Sequence, residues 1–372
     1  VTEPYARFGV PTVINAAGKL TALGGTAQIR AVAEAQALAA THHVDMDTLR
    51  RRAGAILADI TGAEAATVTT GAAAGVAISV AGAITGTDLA RIHRLPDSDG
   101  IANRVLLQAG HAVNFGAPVE QMIRLGGGRA SILGWVNSVP EALLESELEH
   151  SDDIAAFLFV QSHHCVQERM IALERCIELC HRSGVPVLLD AAAEEDLEKY
   201  VALGVDLVTY SGGKALGGPT CGFIAGRRDL VEACEMQTRG IARTMKVGKE
   251  SIAGLLTAIE DYVNRDHSED ASRAARVNAC LTGALAKFSA VADASLKPDE
   301  AGRAIERVAL RAREGRFDVR DLVAFLRDGD PSVRTRNHHL DDGVVLFDPR
   351  EVTLEQARAI AKRLTAFFEP LG

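Results

Sequence analysis

The chain is 372 residues long, 47% hydrophobic and 24% charged, the profile of a globular protein with room for two domains, each with its own core. Its formal net charge of −9 argues against nucleic acid as a partner, because phosphate binding calls for a basic surface. There is no charged-then-apolar signal peptide, and the Ala-rich stretch 71–85 is too short and too glycine-broken for a membrane helix, which makes the cytoplasm the expected location.

Residues 1–30, with Val13-Ile-Asn-Ala-Ala-Gly18 and Leu23-Gly-Gly-Thr26, offer little for a core of their own and read as an arm lying on something else. Ile29 to Ala40 is helical by propensity, and Leu49 to Ile60 has the apolar spacing of an amphipathic helix, with Asp47 as its expected N-cap. From Glu64 strands and helices alternate. Strands are predicted at Ala65–Thr69, Val105–Gln108, Met122–Leu125, Ile154–Val160, Pro186–Leu189, Leu207–Tyr210 and Gly222–Ala225. Helices are predicted where Thr70–Gly75 turns into one running to about Ile84, and at Val139–Leu148, Leu173–Arg182 and Glu194–Leu203. Nearly unbroken apolar strands between helices predict an α/β fold with a mostly parallel sheet covered on both faces, over residues 31–240. Residues 241–372 read as a smaller α+β domain, with helices at Lys249 to Val263 and Ala274–Leu285, a charged stretch Pro298–Leu326, one strand at Val344–Phe347 and a closing helix Thr353–Phe367.

Six scattered cysteines with no Cys-x-x-Cys pair indicate neither a disulfide framework nor a metal site; Cys176 and Cys180, on one predicted helix face, read as core. The chemistry gathers instead behind the strands, where doubly wound sheets bind their ligands. Lys214, in Ser211-Gly-Gly-Lys-Ala-Leu-Gly-Gly-Pro219, follows an apolar run among glycines that admit a flat ligand, and a desolvated lysine there can form a Schiff base. A phosphate-loop reading fails, since Lys214 is followed by Ala215 and a second glycine turn rather than Ser/Thr and a helix.

The other strand ends supply what pyridoxal 5′-phosphate (PLP) requires. Thr70, Gly71 and Ala72 open a helix whose N–H groups suit a phosphate, with Ser211 as a hydroxyl donor. Asp190 can keep a pyridine nitrogen protonated, His111 can lie flat on one ring face, and Ala192 is small enough for the other. Taken singly, each has a plain reading as cap or loop residue; their joint arrival in this order is what points to the cofactor.

These motifs resemble the fold type I PLP enzymes, and within them the group similar to bacterial selenocysteine synthase and D-glucosaminate-6-phosphate ammonia-lyase, closer to the ammonia-lyase branch. The resemblance runs through Ile14-Asn-Ala-Ala-Gly18, Val44-Asp-Met-Asp-Thr-Leu49, Thr69-Thr-Gly-Ala-Ala-Ala74, Gln161-Ser-His-His-Cys165, Leu189-Asp-Ala-Ala192, Tyr210-Ser-Gly-Gly-Lys-Ala215 and Met245-Lys-Val-Gly-Lys249. It implies a three-layer sandwich, an arm packing with the smaller domain, and a homodimer or larger assembly. Ala193 stands where many aminotransferases of this fold carry a tyrosine for the cofactor's phenolic oxygen, which weakens an aminotransferase reading and leaves that role to Gln161 or His163.

The implied reaction is α,β-elimination of a β-hydroxylated 2-amino acid or amino-sugar acid to a 2-oxo acid and ammonia. Lys214 is then the base, His163 and His164 are candidates to protonate the leaving hydroxyl, and Arg336, Lys19 and Arg239 or Arg243 are candidates for the substrate carboxylate. Racemase, epimerase or aldolase chemistry on the same cofactor, and a transferase working on aminoacyl-tRNA, are the alternatives.

Overall fold

The computed structural model describes residues 4–162, 164–299 and 304–371. Its strands are β1 (Ile14–Ala16), β2 (Ala65–Thr69), β3 (Arg104–Gln108), β4 (Arg129–Leu133), β5 (Ile154–Val160), β6 (Val187–Asp190), β7 (Leu207–Ser211), β8 (Gly222–Gly226), β9 (Ala292–Pro298), β10 (Glu306–Ala312), β11 (Val333–Thr335) and β12 (Val344–Phe347). Contacts divide the chain into one unit of Gln28–Val263 and another of Val1–Ala27 with Asn264–Gly372.

In the first unit a seven-stranded sheet has the order β2-β8-β7-β6-β5-β3-β4. From β7 through β4 neighbours run parallel, and β8 is antiparallel to both β7 and β2. The apolar run of β5 shows why both faces are covered. Phe157 and Phe159 enter a core with helices Met46–Thr61, Glu141–His150 and Leu173–Arg182, while Ala156, Leu158 and Val160 enter a second core with helices Ala72–Thr85 and Val119–Leu125. This is the fold type I sandwich.

Three local expectations are corrected. Met122–Leu125 lies in helix Val119–Leu125, because Val119, Met122 and Ile123 bury one helical face before Gly126 and Gly127 end it. The strand that follows, β4, is at the sheet edge with Ile132 exposed, so it lacks an apolar run. The expected helix Glu194–Leu203 shrinks to Lys199–Ala202, since the hydroxyls of Tyr200 and Tyr210 pin Glu194 and the Asp196 carbonyl in an irregular segment. Helix Met46–Thr61 is capped by Asp45, which accepts the Thr48 N–H at 2.7 Å, rather than by Asp47.

The second unit has more strands than the one expected. Antiparallel β12-β10-β9 packs helices His267–Leu285 and Leu354–Phe368 through Val308, Leu310, Val345 and Phe347, and β1 pairs in parallel with β11. The alternation in β9 is hidden because most of its residues are exposed. Residues 241–263 group with the first unit, where Ile252, Leu255 and Ile259 of helix Lys249–Asn264 join the core. Among the described residues no helix is long and apolar enough to cross a membrane.

Candidate active site

Strand register brings the expected residues of the first unit to one edge of the sheet. Val160 pairs with Asp190, Asp190 with Thr209, Ser211 with Gly222, and Gly222 with Thr69. The C-terminal ends of β5, β6, β7 and β2 thus stand side by side, with β8 threaded between the last two. Gly222 makes that insertion possible, because a Cβ there would lie 2.3 Å from the Tyr210 carbonyl oxygen and 3.1 Å from Gly71 C and Thr69 Oγ1.

Helix Ala72–Thr85 starts at Gly71, whose φ of 157° and ψ of 170° suit glycine and whose side-chain position faces open space. Among the described residues no side chain caps this end. The N–H groups of Ala72, Ala73 and Ala74 therefore keep the unsatisfied donors and positive end of a helix terminus, the donor set an anion requires. The helix sits deep because Gly75 lets it approach β7, where a Cβ would come within 2.4 Å of Thr209 Cγ2.

Asp190 is 7% exposed. Burial pushes its carboxyl up, against the pull of the Lys214 ammonium and of the Ala192 N–H, which donates to Oδ1 at 3.1 Å. A buried carboxylate in the field of the lysine of the same site suits a pyridinium, which would supply a further positive charge. Ser211 N–H donates to the Ala192 carbonyl at 3.3 Å and Gln161 N–H to the Asp190 carbonyl at 2.9 Å, so Gln161, Asp190, Ala192 and Ser211 form one backbone cluster. The half-buried Lys214 lies in a loop closed by Gly212 N–H to Cys221 O at 2.8 Å and Gly218 N–H to Gly212 O at 2.7 Å.

His111 is fully buried after β3. Its Nδ1 accepts the Val160 N–H at 3.3 Å, so Nε2 carries the proton and donates to Gln167 Oε1 at 3.1 Å; Phe159 meets the ring edge-on at 4.4 Å. Burial holds its pKa down to about 4, leaving a neutral flat ring in a fixed plane. No part of it is open to solvent. The helix-end donors, the buried carboxylate and the lysine together fit PLP.

Three contributors escaped the sequence reading. Gln167 fixes the His111 tautomer, and its Nε2 donates to the Val160 carbonyl at 3.3 Å. Buried Gln108 exchanges two bonds with the Ile171 backbone and staples the segment behind His111. Cys165, half-buried near Asp190, has its thiol pushed up to about 12 by burial and then by that carboxylate. Its place just after β5 was the available signal. His164 is exposed, with its N–H on Ser162 Oγ at 3.3 Å, and His163 lies outside the described residues. Arg243 is exposed in the first unit. Arg336 and Lys19 belong to the second unit, Lys19 lying 3.9 Å from Glu351.

Residues 159–296, which span β5 to the lysine loop and beyond, match the family model for SelA, L-seryl-tRNA selenium transferase. The chain is 41% identical to D-glucosaminate-6-phosphate ammonia lyase of Salmonella typhimurium, over 98% of each chain. It is equally 41% identical to 5′-C-glycyluridine monooxygenase-decarboxylase of a Streptomyces species, covering 98% of this chain and 91% of that one. The solved structure of D-glucosaminate-6-phosphate ammonia-lyase, 40% identical, superposes with a TM-score of 0.89 over 99% of this chain and 98% of the other. This chain belongs to the fold type I family of PLP-dependent enzymes that includes D-glucosaminate-6-phosphate ammonia lyase.

Proposed function

We propose that the protein is an ammonia-lyase that removes the elements of ammonia from a β-hydroxylated 2-amino acid of the amino-sugar-acid class, phosphorylated at its far end. The observation that carries this reading is the near full-length likeness to the ammonia-lyase in sequence and in structure. PLP, when bound, supplies an electron sink for the Cα carbanion. Lys214 Nζ would anchor the cofactor through its amine and would serve as the base that takes the substrate Cα proton. Asp190 keeps the pyridine nitrogen protonated. The N–H groups of the helix opened by Gly71 and Ala72, with Thr70 and Ser211, hold the cofactor phosphate. His111 and Ala192 bound the ring faces, and Gln161 or His163 bonds the phenolic oxygen.

The β-hydroxyl leaves as water after protonation by His163 or His164, and a second water releases ammonia and leaves a 2-oxo acid. Arg336 holds the substrate carboxylate: it is half-buried and its side chain meets no hydrogen-bond or ion-pair partner among the described residues. Lys19, 3.9 Å from Glu351, and exposed Arg243 are the alternative cations for that carboxylate. Exposed Phe8, Leu38 and Trp135 support a homodimer, which light scattering tests, and we place the enzyme in the cytoplasm.

The equal identity to the monooxygenase-decarboxylase supports a second reading. Incubating the PLP-loaded protein with D-glucosaminate-6-phosphate separates the two. Equimolar ammonia and 2-oxo acid support the lyase. No product from that acid, with oxygen uptake and carbon dioxide release from a 5′-C-glycyl nucleoside, supports the other. Exchange of the Cα proton in deuterated solvent without ammonia release points to racemase chemistry.

A further inference from the structure

The smaller sheet turns one face to its helices and the other carries Ala309, Val344 and Leu346. Because Ala309 pairs with Leu346, Arg307 and Asp348 lie opposite one another on that second face. A bridge joins Arg336 to Leu346 from the other side, through bonds of 2.9 and 3.1 Å, so Arg336 stands diagonally across from Asp348. Arg307 is 3% exposed and Asp348 0%.

Asp348 is saturated. Its Oδ2 accepts Arg307 Nε and Arg350 Nη2, both at 2.8 Å, and its Oδ1 accepts Arg350 Nε at 2.9 Å and the Arg350 N–H at 3.1 Å. A carboxylate has about four lone-pair positions, and all are used. Arg307 Nη1 binds Asp299 Oδ1 at 2.7 Å, while its buried Nη2 meets no acceptor among the described residues. Arg336 feels the charges of Arg307, Asp348, Arg350 and Asp299 but bonds to neither carboxylate. Such a half-buried guanidinium, beside another and next to a filled carboxylate, calls for an acceptor from outside.

We propose that Arg307 is a positioning residue: by filling Asp348 and engaging Asp299 it keeps Arg336 out of an internal ion pair and reserves that guanidinium for a substrate carboxylate. This rests on the carboxylate role given to Arg336 above. The N-terminal arm belongs to the same device. Asp348 N–H donates to Ala16 O at 2.8 Å, and Gly18, at φ +89°, leaves no room for a Cβ, which would lie 2.9 Å from Asp348 Oδ2.

The test is isothermal titration of the PLP-loaded protein with 6-phosphogluconate, a sugar acid with the carboxylate and no amine. Wild type, Arg307→Lys, Arg336→Met and the double variant are compared, with thermal melts as a folding control. Lysine keeps the buried charge but lacks the fork that spans Asp299 and Asp348. Arg307→Lys and Arg336→Met should each weaken binding about tenfold, and the double variant no more than Arg336→Met alone, because both act through one guanidinium. Losses that multiply in the double variant, or unchanged binding by folded Arg307→Lys, overturn the positioning role alone. Unchanged binding by Arg336→Met, or no binding by wild type, overturns the carboxylate assignment and this proposal together. Should Arg307→Lys not fold, Arg307→Gln with Asp299→Asn, which removes one charge of each sign, replaces it under the same criteria.

Discussion

At the strand ends of the larger unit, the groups gathered for a ligand are backbone N–H donors, a neutral imidazole and one lysine in the field of one buried carboxylate. The smaller unit instead packs Arg307, Arg350, Asp299 and Asp348 into an internal ion network. Burial raises the Asp190 carboxyl, whereas Asp348 is held down to about 2 despite complete burial, because two guanidiniums bond to it. Asp190 is thus a strained group that gains from a bound cation. Asp348 is already satisfied and serves the fold.

Substitutions can break this contrast. Lys214→Ala should remove activity by about a thousandfold or more and abolish the visible band of the bound cofactor, while circular dichroism stays unchanged. Thermal melts of the cofactor-free protein should then separate the two carboxylates. Asp348→Asn leaves Arg307 and Arg350 short of a buried partner and should cost about 3–5 kcal/mol. Asp190→Asn should leave that stability unchanged or raise it while weakening cofactor retention; equal destabilisation by both would erase the distinction.

Gly75→Ala drives a methyl into Thr209 and should cost about 1–3 kcal/mol, with lowered activity because the phosphate-binding helix end shifts with it. Acid sharpens the comparison further. The unfolded chain takes up a proton at His111 below about pH 6.5 and the folded chain only below about 4, so stability falls as pH drops through that window, by about 1.4 kcal/mol per unit. Asp348 contributes stability that is present above 3.8 and lost as pH falls toward about 2. Melts of the cofactor-free protein at pH 7, 5.5 and 4.5 should lose their slope in His111→Gln; an unchanged slope would assign the window to other groups.

The larger unit was the more legible because its signals are local. Ile154–Val160 and Leu173–Arg182 are continuous patterns, Thr70-Gly71 and Lys214 each follow their own strand, and Asp190 ends one. Legibility failed where tertiary contacts overrode pattern, as at Glu194–Glu198, and where a sheet edge relaxed it, as at β4. In the smaller unit the informative residues are Gly18, Arg307, Arg336 and Asp348, far apart in sequence and joined only by strand pairing. Nothing in the sequence around Arg307 distinguishes it from the other arginines of a charged stretch. Gln167 was hidden for the same reason, since its partner His111 lies on another loop.

The most direct measurement is to reduce the PLP-loaded protein with borohydride, digest it and locate the cofactor by peptide mass. A pyridoxyl group on Lys214 alone is the expected result. Attachment at any other lysine, or none at all, would contradict the assignment of the strand-end site.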